Sequence, residues 1–108
     1  MDEVEDLEIQ LSLSKNPINR EIIRVLATLH TADATAGLGS QKPLYDREGE
    51  GMIGAHSTVR FAGNEYEASA YVREINCRGF IACGLAERLS ELGALKNALR
   101  ASGLRLKP

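Results

Sequence analysis

The sequence predicts an α+β fold: an antiparallel sheet with helices packed on one face. The expected core order is α-β-β-β-α, with an extra strand before it and a short extra helix after it. Three observations predict this. An aliphatic stripe at helical spacing follows Asn16-Pro17. Two alternating segments flank Gly63-Asn64, a two-residue turn signal. A segment rich in alanine and glycine, with leucines three and four apart, follows at 77–92.

The first expected element is a strand at 7–14. Leu7, Ile9, Leu11 and Leu13 alternate with Glu8, Gln10, Ser12 and Ser14, the period of a half-buried strand. Asn16 then caps a helix and Pro17 occupies its first position. Ile18, Ile22, Val25, Leu26 and Leu29 form its apolar stripe, and the helix ends between His30 and Gly37. Residues 37–51, with four glycines and Pro43, read as a loop holding a short strand near Leu44-Tyr45-Asp46-Arg47.

The hairpin around Gly63-Asn64 pairs Phe61 with Tyr66, Val59 with Ala68, Ser57 with Ala70 and Ala55 with Val72 on the apolar face. On the other face Arg60 meets Glu67, Thr58 meets Ser69 and His56 meets Tyr71. Asn76 caps the second long helix, with Ile81, Leu85, Leu89 and Leu92 as its stripe. Gly93 is expected to break it, leaving a separate helix at 94–102 with Leu95 and Leu99 inward and Gly103 at its end.

Composition bounds the function. The 108 residues suit one domain, read as 1–108, and the 44% hydrophobic content supports a folded core. No apolar run reaches the roughly 20 residues of a membrane helix. The start Met1-Asp2-Glu3 is unlike a signal peptide. Cys77 and Cys83, without a Cys-x-x-Cys, read as small buried residues of a reducing, intracellular setting. The net charge of −2 gives no global attraction to nucleic acid. The charge is polarised, however. Residues 1–14 hold five acids and no base; residues 92–108 hold four bases and no acid. The two ends are either solvated or paired, within one chain or between two.

Motifs for chemistry are sparse. Gly37-Leu38-Gly39 lacks the lysine and the strand-to-helix context of a phosphate loop. Asp46, Glu48 and Glu50 lack the glycine and distal glutamate of a calcium loop. His30 and His56 read as structural, and a Cys–His pair has no accompanying oxyanion motif. The sequence therefore implies no catalytic residue, no cofactor and no metal. Among the aromatics only Tyr71 falls on the polar face of the hairpin, where it could stack on a base.

The order of elements resembles the double-stranded RNA-binding domain across about 16–92. Asn16-Pro17 is similar to that family's helix start. Pro43-Leu44-Tyr45 after Lys42 resembles its Pro-x-Tyr, Gly49 to His56 its glycine-rich, histidine-bearing loop, and Tyr66-Glu67-Ala68-Ser69-Ala70 its third strand. The lysine cluster that opens the family's last helix is reduced to Arg78 in Arg78-Gly79-Phe80-Ile81-Ala82. Residues 16–92 hold eight bases and ten acids. Losing two phosphate contacts, each worth about 1–2 kcal/mol, weakens duplex binding by orders of magnitude.

The resemblance thus implies a degenerate member acting as a protein-interaction or dimerisation module, set in an RNA-processing or RNA-silencing complex. Its partner would be another protein or a second copy, with double-stranded RNA bound weakly and no membrane. Leu7, Ile9, Leu11, Leu13, Leu95 and Leu99 are the candidate interface. A second reading is a true duplex binder using Arg20, Arg24, His56, Arg73 and Arg78. A third is a small acidic phage- or plasmid-type regulator or inhibitor. That reading is favoured if the first strand pairs centrally beside the hairpin and no strand occupies Pro43–Arg47.

Overall fold

The computed structural model describes residues 17–49, 51–75 and 79–106. The expected strand at 7–14, with Leu7, Ile9, Leu11 and Leu13, lies outside them. So do the caps Asn16 and Asn76, and Cys77 and Arg78. The described elements are α1 (Pro17–His30), β1 (Gly37–Tyr45), β2 (Met52–Phe61), β3 (Asn64–Tyr71), a 3-10 turn (Val72–Glu74) and α2 (Gly79–Ser102). The three strands form one antiparallel sheet in the order β1-β2-β3, with helices on one face.

Helix α1 forms as its stripe predicts. Val25 and Leu29 are fully buried and Ile22, Ile23 and Leu26 nearly so. It ends where His30 turns back into the fold. The buried His30 donates from Nε2 to the Ala36 carbonyl at 2.6 Å, holding the link to β1 closed. His30 is thus a structural residue.

Strand β1 overturns the expected loop. It starts at Gly37, and the true connection is only 46–51. Two glycines hid it, since they break any visible alternation. Pairing to β2 supplies what local propensity lacks. A bulge lies between Leu38 and Gln41, where Ser40 N–H donates to Thr58 Oγ1 at 2.8 Å. A Cβ on Gly39 would collide with that same hydroxyl. The strand covers Pro43–Tyr45, the segment whose absence would have favoured the third reading.

The hairpin turns two residues' worth of register away from expectation. Its loop is Ala62-Gly63, with φ of 51° and 81°. Positive φ at both positions makes a type I′ turn, whose twist matches the flanking strands. Phe61 therefore pairs with Asn64, Val59 with Tyr66, Ser57 with Ala68 and Ala55 with Ala70. A slip of two leaves every side chain on its expected face but changes every partner. Alanine is a poor choice for positive φ. What holds it is tertiary: Ala62 N–H donates to Asp33 Oδ2 at 2.8 Å.

Helix α2 is one continuous helix through Gly93, so the expected break and the separate helix at 94–102 are both overturned. Gly93 is needed for proximity. A Cβ there would lie 2.8 Å from the Ala68 Cβ. The apolar stripe also differs. Ala82, Ala86, Ser90, Ala94 and Ala98, spaced four apart, are fully buried, while Leu85 and Leu89 are half-buried. Small residues let α2 lie close on β2 and β3. Its second face, with Leu92 and Leu95, joins Ile22, Val25, Leu26 and Leu29 of α1 and Val59 and Phe61 of β2 in one core cluster. Leu95 is fully buried in that cluster and Leu99 packs against it. Leu95 is therefore not available as an interface residue, and that expectation is corrected; Leu99 is half-buried.

Candidate interaction surface

The helices cover β2 and β3 more than β1. Seven of the nine β1 residues are exposed, whereas β2 buries five of ten. Among the described residues, the large hydrophobics left in solvent are Leu38, 42% exposed, Tyr45 at 56% and Ile53 at 41%. Tyr45 and Ile53 lie at the same end of the sheet, since Tyr45 pairs with Met52 across β1 and β2 and Ile53 follows Met52 along β2. There Met52, Ile53, Tyr71, Val72 and Arg73 line a shallow depression of about 380 Å³. On the outer face beside it, Leu44 pairs with Gly54 and Gly54 with Tyr71.

Two local features shape this end. The Tyr71 ring lies over Gly54, where any Cβ would meet the Ala70 carbonyl and the ring. The Arg73 guanidinium covers the ring at 5.1 Å from its centroid. The expectation of Tyr71 as an open stacking platform is therefore corrected, since Gly54 and Arg73 already occupy the ring. What remains is a patch of Tyr, Met, Ile and Val with an arginine at its rim, the composition that concentrates energy in protein interfaces.

The sequence-predicted site residues do not converge. Arg20 and Arg24 lie on α1, in the helix layer, where with Pro17 and Glu21 they line a shallow hollow. His56 projects from the opposite face of the sheet, as does Tyr71, over which Arg73 lies. His56 sits in the middle of β2, not in the β1–β2 connection, so the resemblance of Gly49–His56 to a histidine-bearing loop is corrected.

The His56 ring joins β2 to β3. Its Nδ1 lies 2.7 Å from Ser69 Oγ and its Nε2 3.3 Å from Glu67 Oε2. This Ser–His–Glu series occupies an open face, and the Glu67 side chain is 72% exposed. Arg60 opposite Glu65 continues the same polar ladder. Such cross-strand pairs stabilise a solvated sheet face.

A second polar group bridges sheet and helix, running from the exposed Gln41 to the buried Ser57, Ser90 and Glu91. Gln41 Nε2 donates to Ser57 Oγ at 3.0 Å, to the Glu87 carbonyl at 3.1 Å and to Glu91 Oε1 at 2.9 Å. Ser57 and Ser90 hydroxyls are 2.7 Å apart, and Arg88 Nη1 donates to Glu91 Oε2 at 3.0 Å. Satisfied in this way, the group fixes the position of α2 on β1 and β2.

The expected interface residues missed Tyr45, Met52, Ile53 and Val72. The signal was present. Leu44-Tyr45 and Met52-Ile53 are adjacent apolar pairs in strands. Successive strand residues face opposite ways, so a sheet covered on one side leaves one of each pair uncovered.

Among the described residues no group of three or more His, Cys, Asp or Glu is placed to hold a metal ion. No described helix is long and apolar enough to cross a membrane. Cys83 is a free, half-buried thiol. Compared with protein-family models, with curated proteins and with solved structures, the chain matches none.

Proposed function

We propose that this chain is a non-catalytic protein-interaction module that associates with a second copy of itself through the apolar end of its sheet. The observation that carries this reading is the exposure of Tyr45 and Ile53 at the end of the sheet where Tyr45 pairs with Met52, beside the depression lined by Met52, Ile53, Tyr71 and Val72. An isologous contact would place this patch against its own copy, so each exposed side chain is buried twice per dimer. Burial of apolar area at about 25 cal/mol per Å² makes such a patch the natural source of affinity.

We further propose that the fold is of the double-stranded-RNA-binding type, with a reduced grip on duplex RNA. The α-β-β-β-α order supports this. The reduced grip is supported by the distribution of bases. Arg20 and Arg24 stand on one side of the sheet, His56 and Arg73 on the other. Phosphate neutralisation needs bases on one continuous surface.

Light scattering with and without a short duplex RNA tests both proposals. The expected result is a mass that rises with protein concentration and does not change when duplex is added. A tight, salt-sensitive complex with the duplex would overturn the reading in favour of a true RNA binder.

A further inference from the structure

The helix layer holds a charge imbalance that the apolar end of the sheet does not explain. Lys96 Nζ lies 3.1 Å from Glu21 Oε1, joining α2 to α1. Arg20 adjoins Glu21, Arg24 lies about one turn further along α1, and Arg100 about one turn beyond Lys96 on α2. Among the described residues, Arg20, Lys96 and Arg100 thus stand on the two helices with Glu21 as the acid between them. Arg20 and Arg100 are exposed; Arg24 and Lys96 are half-buried. Beside them is a hollow of about 350 Å³, lined by Pro17, Arg20, Glu21 and Arg24. In a chain whose net charge is −2, Arg20, Lys96 and Arg100 against Glu21 give this strip, among the described residues, more bases than acids.

We propose that the strip is a docking surface for the chain's own acidic segment, Asp2 to Glu8. These residues lie outside the described ones, and two arguments select them. The first is charge: residues 1–14 supply five acids and no base. The second is reach. Glu8 stands nine positions before Pro17, itself a lining residue of the hollow. Nine residues span at most about 30 Å. Packed helix axes are only about 8–10 Å apart, so bases on both helices fall within range. Attachment so close to the strip gives the segment a high effective concentration there. Docked acids would neutralise the strip before any external polyanion reached it. A chain with a cationic helix face would then behave as an acidic protein.

The test uses the full chain and one probe, a labelled synthetic peptide of residues 1–14. In the comparison chain all five acids are made neutral (D2N, E3Q, E5Q, D6N, E8Q). The peptide should bind this chain at least about tenfold more tightly than the wild type, whose own segment competes. Binding should weaken as salt rises, and it should disappear when Arg20→Ser, Lys96→Ser and Arg100→Ser are added. Equal binding to both chains, no binding to either, or binding that survives those serines would overturn the proposal. A wild-type mass that rises with concentration, and falls when the acids are neutralised, would place the segment on a neighbouring copy and overturn the intramolecular arrangement. Tyr45 and Ile53 are untouched throughout, so this result is independent of association through the sheet.

Discussion

At the scale of single residues, two glycines of α2 are expected to respond to alanine with opposite signs. Gly84 is exposed, and a Cβ there meets nothing within 4 Å. Gly84→Ala should therefore stabilise the protein by about 0.5–1 kcal/mol through helix propensity alone. Gly93→Ala gains the same propensity but pushes its methyl to 2.8 Å from the Ala68 Cβ. Overpacking typically costs about 1–3 kcal/mol, so the net effect should be destabilising. Urea denaturation of the two variants checks both signs. From the sequence the two positions look alike, as small residues in a helix. The distinction lies in what crosses the helix at each position, and no local pattern carries that.

Asp33 gives a pH-dependent expectation. The Thr35 hydroxyl, followed by the backbone N–H groups of Ala62 and Thr35, holds its carboxyl below the ordinary carboxylate value of 3.8. A lowered folded-state value means that the carboxylate's stabilisation is full above the unfolded value. It is lost as pH falls through the folded one. Wild type should thus lose its advantage over Asp33→Asn below about pH 4. Denaturation midpoints of the two proteins should converge in strong acid. A gap that stays constant from neutral pH to strong acid would show that the carboxylate's charge is not what secures the turn.

At the scale of elements, α1 was legible because its buried stripe is local and its boundaries carry proline and histidine. The faces of β2 and β3 were legible for the same reason, since period-two alternation survives a register slip of two. The turn itself was not. Its choice of Ala62-Gly63 over Gly63-Asn64 depends on Asp33, 29 positions away. Ala62→Asn should make the turn locally favourable as well, because Asn-Gly is a preferred type I′ pair. The expected gain is of order 1 kcal/mol, read as a higher melting temperature. An unchanged or lower value would argue against positive φ at this position.

Strand β1 was missed for a related reason. Gly37 to Lys42 has no strand pattern of its own, and Thr58 and Ser57 of β2 supply its partners. The Gln41 network is its anchor to α2. Ser57→Ala removes a buried hydroxyl that contacts both Gln41 and Ser90. Ser90 and Gln41 keep their bonds to Glu87 and Glu91, so the loss should be about 0.5–1.5 kcal/mol, the net worth of a hydrogen bond. Ser69→Ala on the solvated face should cost much less, and comparing the two by denaturation checks the assignment.

At the scale of the molecule, helices on one face of a three-stranded sheet leave the other face and the β1 edge in solvent. The outer face is polar along most of its length, with Arg60, Thr58 and His56 opposite Glu65, Glu67 and Ser69. That pattern suits water. The end of the sheet at Tyr45, Met52, Ile53 and Val72 does not, and its composition is the reason for assigning it to a partner. The candidate interface drawn from the sequence included Leu95 and Leu99, the inward face of a separate helix expected to lie outside the core segment 16–92. Once α2 runs through, Leu95 becomes core, and the exposed apolar surface moves to the far end of the sheet.

That relocation is tested most directly by sedimentation of the wild type and of the double variant Tyr45→Ser, Ile53→Ser over a range of concentrations, with circular dichroism to verify that both are folded. The wild type should shift from monomer towards dimer as concentration rises, while the folded variant stays monomeric. A monomeric wild type at every concentration, or a variant that dimerises as readily as the wild type, would contradict the assignment of this surface.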